Sequence, residues 1–343
     1  MGTLISCSES SQKYNSLKLT KKFSKNTKDY SIIIAYTGNL KSQLTPHKDE
    51  LINGSKIEFG GAQLQRKYLS AIRSELGNIL LIDGGQILAG QSKEDGDEVL
   101  EHINELEYDA VLLSDHDLIS LKNQKNKEIN IPFVNSNLLS LDTNESLSSF
   151  NNKEVIIKEI NGVKVGIFGL TPYKPILKDE DGLEGILFDD VVARILNIKR
   201  KIKGQTDINI AILHAHDECS DKIDYRFKDC KIDRSFIKKI LTRLPPDTID
   251  IVFSGSSIEP VTKILEYPVV SNLGHGEFIT LLRYFPKTKE IEAQQVRICS
   301  DFYDVTNSCY ISPDDINAIK EVRKSRLKLR PAQVLKTKIL QTN

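Results

Sequence analysis

From residue 30 onward, short runs of aliphatic and β-branched residues alternate with longer amphipathic segments. Several short runs are continuously apolar, as in strands that are buried on both faces of a sheet. The longer segments place apolar residues three and four apart, which is typical of helices that lie on a sheet. Strands are predicted at 31–36, 78–83, 110–113, 155–160, 163–168, 208–213, 249–253 and 268–272, and helices at 63–76, 96–106, 191–203, 235–244 and 313–329. This alternation predicts a layered α/β fold.

The dipeptide Asn161-Gly162 separates two of the predicted strands. A two-residue Asn-Gly connection is a strong hairpin signal, because both residues accept the positive φ angles that such a turn needs. The strands on either side are therefore expected to be antiparallel, and the sheets to be mixed.

The composition bears on which classes of partner the protein can bind. Of the 343 residues 39% are apolar, enough for a sizeable core, and 47 basic residues balance 47 acidic ones. A neutral chain has no overall field that attracts nucleic acid or an anionic membrane surface. No run of about eighteen apolar residues is present, so we expect membrane contact only through an N-terminal lipid.

Residues 1–29 are polar and lack periodicity, which predicts a flexible tether. The segment 4–7 resembles the end of a bacterial lipoprotein signal, with Cys7 as the lipid-bearing residue and the cell envelope or periplasm as the location. That interpretation needs a start upstream of Met1. The segment 1–6 also fits the myristoylation pattern, which would place a lipid on Gly2 at a cytoplasmic membrane face. A plain tail is the third alternative.

The other four cysteines form two close pairs in the sequence, Cys219 with Cys230 and Cys299 with Cys309. This arrangement fits two disulfides in an oxidising compartment. Four unrelated thiols are the alternative. None of the spacings is the C-x-x-C of a zinc or redox site.

Polar residues and glycines follow five of the predicted strands, at the sheet edge where open α/β folds carry their chemistry. The segments include Thr37-Gly38-Asn39, Asp83-Gly84-Gly85-Gln86, Ser114-Asp115-His116-Asp117, His214-Ala215-His216 and Ser254-Gly255-Ser256-Ser257. In order and spacing they resemble the catalytic domain of 5'-nucleotidases and related calcineurin-like metallophosphoesterases over residues 30–329. The resemblance implies a four-layer α/β/β/α sandwich with mixed sheets and a two-metal centre.

Several ligand positions of that family are altered in this sequence. Asn39 and Gln86 replace aspartates, and an amide oxygen brings no charge to offset a cation, so both are weak candidate ligands. Lys41, Ser256 and Ile258 stand where the family has histidines, and we interpret them as lost ligand positions. The resemblance therefore implies a degraded dimetal centre.

The retained residues are the candidate site. Asp115 and His116 are the candidate catalytic residues, and Asp115 is also a candidate metal ligand beside one of His214 and His216. These two histidines alternate on a strand end, so only one of them can point at the site. A solvated loop histidine is the alternative for His116, and Asp83 is expected to cap a turn.

Two further parts of the sequence resemble segments of known proteins. Segments 37–39 and 44–46 are similar to a group of bacterial envelope relatives in which Gly-Asn also opens the site. Residues 330–343 resemble the linker at which full-length 5'-nucleotidases enter a nucleotide-binding domain. We therefore expect that second domain to be absent.

These observations predict a 5'-nucleotidase-like protein that is weakly active or binds a ligand without catalysis. An active metal-dependent phosphoesterase with a rearranged site is one alternative, and a protein-binding module is another. One divalent metal, Mn, Zn or Mg, or no metal at all, is expected. The expected ligand is a phosphate-containing small molecule, and the sequence indicates no particular protein partner.

Overall fold

The computed structural model describes residues 30–50, 56–88, 93–122, 129–172, 185–214, 235–254, 261–274, 276–299 and 337–338. The helices are α1 (Ala62–Leu76), α2 (Lys93–Glu105), α3 (Asp115–Lys122), α4 (Val191–Lys201) and α5 (Ser235–Thr242). The strands are β1 (Ile32–Thr37), β2 (His47–Glu50), β3 (Lys56–Phe59), β4 (Leu80–Asp83), β5 (Ala110–Leu112), β6 (Phe133–Val134), β7 (Leu138–Ser140), β8 (Ile156–Ile160), β9 (Val163–Leu170), β10 (Ile186–Phe188), β11 (Ile208–Leu213), β12 (Ile251–Ser254), β13 (Val261–Ile264), β14 (Tyr267–Val270), β15 (Phe278–Phe285), β16 (Glu290–Arg297) and β17 (Thr337–Lys338).

The described strands form two large sheets and two small ones. The first sheet has the order β17-β16-β15-β1-β4-β5-β6, in which β1, β4, β5 and β6 are parallel. The second has the order β13-β14-β12-β11-β9-β8, with β9, β11, β12 and β14 parallel. Strands β8 and β9 pair antiparallel across Asn161-Gly162, which confirms the predicted hairpin.

Side-chain alternation along the strands divides the interior into layers. In β1, Ile32, Ile34 and Tyr36 face the second sheet, whereas Ile33 and Ala35 face helices α1 and α2. The far side of the second sheet packs against α4 and α5. The resulting order is helices, sheet, sheet, helices, and the predicted four-layer sandwich is confirmed.

The predicted elements agree with the observed ones within a few residues. Strand β11 and the start of α4 coincide with the prediction, and α2 begins three residues earlier than predicted. Among the helices in the described ranges, none combines the length and apolarity that a bilayer span requires. The predicted tether 1–29, the predicted helix 313–329 and most of the linker 330–343 lie outside the described residues.

The two sheets approach each other closely at Gly169 in β9. A Cβ atom at this position would lie 2.3 Å from the carbonyl oxygen of Val134 and 2.6 Å from Cδ1 of Leu112, both in the first sheet. The Ser136 N–H donates to the Gly169 carbonyl at 2.7 Å. The sandwich therefore admits only glycine here without movement of the opposing backbone.

We expect Gly169→Ala to lower the free energy of unfolding by roughly 2–3 kcal/mol, because the new methyl group meets backbone that cannot rotate away. Gly204→Ala is the control: no atom lies within 4 Å of its Cβ position, and φ is +77°. Backbone strain alone should cost it about 1 kcal/mol. Urea unfolding of both variants measures the difference, and equal losses would contradict the steric explanation.

Candidate metal-binding site

The candidate site lies at the carboxyl ends of parallel strands from both sheets. Asp115 begins α3 three residues after β5, and Gln86 follows β4, so both come from the first sheet. His214 directly follows β11 of the second sheet, and its N–H donates to the carbonyl of Leu170 at 2.8 Å. The groups are therefore brought together across the sandwich.

One carboxylate and two imidazoles converge at this point. Asp115 Oδ1 lies 3.0 Å from His116 Nδ1 and 3.7 Å from His214 Nε2. Candidate ligand atoms of all three residues lie within 4.8 Å of one another. The side chains of Asp115 and His214 are buried, whereas that of His116 is 42% exposed. A small molecule from solvent therefore meets His116 first.

Gln86 adds an amide to this group. Its Nε2 lies 3.3 Å from His214 Nε2, and its Oε1 is buried with no hydrogen-bond partner among the described residues. Because a buried carbonyl oxygen without a partner costs free energy, the site has an unmet acceptor beside the imidazole. A cation would satisfy it, after a rotation of the amide if the oxygen points away.

The donor set fits one divalent ion. Imidazole nitrogen and carboxylate oxygen suit zinc and manganese, and three protein donors with an open position are typical of catalytic zinc sites. The three grouped residues are Asp115, His116 and His214, with the Gln86 amide beside them. Only one of them carries a negative charge, so the cation is incompletely neutralised and its affinity should be modest.

The loops after β1 and β4 run side by side next to the site. The N–H groups of Asn39 and Lys41 donate to the carbonyls of Gly85 and Gln86 at 2.9 and 2.8 Å. Asn39, Lys41 and Gln86 all have a positive φ, between 49° and 56°. Such backbone is uncommon for non-glycine residues and tends to occur at functional sites. The structure thus places the backbone of Asn39 and Lys41 beside that of Gly85 and Gln86.

The remaining site predictions fall on other parts of the chain. His214 reaches Asp115, with 3.7 Å between Nε2 and Oδ1. Cys299 is disulfide-bonded. The positions of Gly2, Cys7, His216, Cys219, Cys230, Ser256, Ile258 and Cys309 lie outside the described residues.

Asp117 supports the site, and the sequence analysis gave it no role. Its carboxylate accepts the N–H groups of Gln86 and Leu88 at 2.8 Å and the hydroxyl of Ser114 at 2.7 Å. Ser114 Oγ in turn accepts the Asp117 N–H at 3.2 Å, a reciprocal capping arrangement. Burial raises the pKa of Asp117, and these hydrogen bonds oppose the rise. The Ser-x-x-Asp spacing was the signal that would have revealed it.

Asp83 is a second buried carboxyl below the loops. Its Oδ1 accepts the Gly85 N–H at 2.8 Å, so it caps the turn as predicted. Its Oδ2 accepts the Thr37 hydroxyl at 2.6 Å, and Thr37 Oγ1 lies 2.7 Å from the hydroxyl of Tyr108. Burial raises the pKa of Asp83 to about 7, although the hydrogen bonds from Thr37 and Gly85 lower it.

Comparison with solved structures identifies the same fold. The 5'-nucleotidase precursor of Thermus thermophilus gives a TM-score of 0.62 at 15% identity over 87% of this chain and 59% of that one. The NAD nucleotidase of Haemophilus influenzae gives 0.60 at 16% identity over 88% and 57%. A calcineurin-like phosphoesterase of Bacillus subtilis gives 0.54 at 16% identity over 86% and 97%.

This chain therefore spans less than three fifths of the length of those two nucleotidases. No model of a known protein family and no curated protein matches its sequence. The predicted resemblance is confirmed for the fold, which is the metallophosphoesterase-type fold of 5'-nucleotidases.

The raised pKa of Asp83 predicts a pH-dependent stability. Between its unfolded value of 3.8 and about 7, the unfolded chain ionises Asp83 while the folded chain keeps the proton. Unfolding therefore releases a proton, and stability should fall as pH rises through this window by up to about 4 kcal/mol. Asp83→Asn should remove this fall, because an amide still accepts from Gly85 and donates to Thr37.

The measurement is urea unfolding from pH 4 to pH 8 with a chelator present. Asp142→Asn, on an exposed loop, is the matched control and should follow the unmodified protein. If Asp83→Asn and the unmodified protein lose stability in parallel, Asp83 is not the titrating group.

Proposed function

We propose that this protein, which has the fold of 5'-nucleotidases and calcineurin-like phosphoesterases, binds one divalent cation and a phosphate ester, and hydrolyses the ester slowly or not at all. The observation that supports the proposal is the convergence of Asp115, His116 and His214, next to the buried Gln86 oxygen, which lacks a hydrogen-bond partner in the part of the chain that the structure describes. No such grouping of candidate ligands occurs elsewhere in the described ranges.

In this proposal the buried donors Asp115, His214 and Gln86 hold the cation. A cation bound there would supply positive charge to bind phosphate oxygens and lower the pKa of a coordinated water. The described residues contribute a single carboxylate to the set, so net charge at the loaded site stays positive and favours an anionic ester. Known dimetal sites clamp the ester between two ions, and a site with one ion should turn over slowly.

His116 has a different proposed role because its ring is exposed. Asp115 Oδ1 lies within hydrogen-bond distance of Nδ1, which orients the ring and favours a proton on that nitrogen. The exposed ring would exchange a proton with a bound ester. Asp115 Oδ1 faces both imidazoles, so the same carboxylate would orient His116 and hold the cation.

The proposed class of ester rests on the fold alone. Several similar structures are nucleotidases, as their names state. We therefore propose phosphate esters of the nucleotide type as the first substrates to test, followed by simple phosphomonoesters and phosphodiesters.

Metal titration tests the proposed single-cation site. Titration of the chelator-treated protein with Mn²⁺ or Zn²⁺ should saturate at one ion per chain. His214→Ala should raise the dissociation constant at least about tenfold, because the loss of even an outer-shell partner commonly lowers metal affinity by that much. His102→Ala, a histidine in α2 outside the site, should leave the affinity unchanged. Uptake of two tightly bound ions per chain would disprove the single-ion proposal.

A His116 variant separates metal binding from ester hydrolysis. His116→Ala should abolish any hydrolysis of a chromogenic phosphodiester while leaving the metal affinity within a few-fold of the unmodified protein, because the buried donors remain. If the variant loses the metal as well, His116 is a ligand rather than the proton-exchanging residue. If it retains turnover, the assigned centre is wrong.

A further inference from the structure

Three buried polar residues lie where the two sheets meet beside the candidate site. Asn135 and Asn137 follow β6 of the first sheet, and Thr171 directly follows β9 of the second. None of them is more than 1% exposed. We call these three residues the asparagine–threonine cluster.

The members of the cluster are joined by short hydrogen bonds. The Asn135 amide donates through Nδ2 to Thr171 Oγ1 and to the Leu113 carbonyl, both at 2.8 Å. The Asn137 amide donates to the Thr171 carbonyl at 2.9 Å, and its Oδ1 accepts the Thr171 N–H at 2.9 Å. Thr171 is thus held through its hydroxyl, its N–H and its carbonyl.

Each end of this network is attached to a donor of the site. Leu113 is two residues before Asp115 on the chain leaving β5. Thr171 follows Leu170, whose carbonyl accepts the His214 N–H at 2.8 Å. The cluster is therefore a hydrogen-bonded path from the strand end that carries Asp115 to the one that carries His214.

The spacing of Asp115 and His214 depends on how the sheets sit against each other. The apolar side chains between the sheets attract without direction, so they leave sliding of one sheet on the other weakly opposed. Hydrogen bonds are directional and are strengthened in a dry interior. Metal donors need fixed positions, and outer-shell hydrogen bonds supply them in known metal sites.

We propose that Asn135, Asn137 and Thr171 are positioning residues that set the distance between Asp115 and His214 and thereby the affinity for the cation. The inference rests on the proposed function. It adds a role for residues that touch neither the ion nor a ligand.

The fold contains a second, similar pair that serves as a control. Asn272 Nδ2 donates to the Tyr36 carbonyl at 3.1 Å and to Thr280 Oγ1 at 3.2 Å, and both Asn272 and Thr280 are buried. This pair also joins the two sheets, because Asn272 follows β14 and Thr280 lies in β15. Its contacts end on β1 and β15, and not on the strand ends that carry Asp115 and His214.

The experiment measures Mn²⁺ affinity by calorimetric titration of four proteins: the unmodified chain, Thr171→Val, Thr171→Ser and Thr280→Val. Circular dichroism and thermal unfolding confirm that each is folded at the titration temperature. Thr171→Val keeps the shape and removes the hydroxyl, and its dissociation constant should rise about tenfold or more. Thr171→Ser keeps the hydroxyl and should restore affinity close to that of the unmodified chain.

Thr280→Val should lose stability to a similar degree while its Mn²⁺ affinity stays unchanged. Equal affinities for Thr171→Val and the unmodified chain would overturn the inference, as would an equal weakening in Thr280→Val. If Thr171→Val does not fold, Thr171→Ala and Thr280→Ala make the same comparison. Absence of Mn²⁺ binding by the unmodified chain would instead refute the proposed function itself.

Discussion

The packing of the two sheets against each other is the constraint on which the rest of the structure depends. Residues such as Ile34, Ile167 and Phe253 form a continuous apolar layer between them. Full burial of each such side chain contributes about 1.5–3 kcal/mol. The layer holds the sheets together, and the close approach at Gly169 fixes how near they come. A site built from donors on both sheets exists only because this packing brings the two sheets together.

Burial also determines the electrostatics of the site. Asp83 and Asp117 lie below the loops and direct their oxygens to backbone N–H groups and hydroxyls. Their carboxyl groups are committed to shaping the loops, and burial raises the pKa of both. Asp115 is the carboxylate that stands beside the imidazoles. The local negative charge is therefore small, in keeping with the modest cation affinity that we propose.

The elements that follow from local pattern were predictable from the sequence. The buried strand 208–213 is a continuous apolar run, and the β8–β9 hairpin follows from Asn161-Gly162. Strands β2 and β3 were missed because they are short and largely polar. Strands β7 and β10 were missed because they have only three residues each. Segments that short show no periodic signal in the sequence.

The sequence predicted which strand ends contribute residues to the site, but it did not predict the distances between those residues. Alternation shows that one of His214 and His216 faces inward, but only the packing of the second sheet on the first brings His214 to Asp115. The hydrogen bonds that link Asn135 to Thr171 and to Leu113 join residues 36 and 22 positions apart. Their meaning depends on the assembled sandwich, so the sequence alone marks them as ordinary polar residues.

The paired loops after β1 and β4 have a consequence for how such a protein changes over time. The left-handed conformations of Asn39, Lys41 and Gln86 are held by backbone bonds between the loops and by Asp83 and Asp117 beneath them. None of these interactions involves the side chains that project from the three positions. The backbone shape of these loops can therefore be retained when the side chains at the three positions are exchanged. The fold around the site and the chemistry of the site can evolve separately.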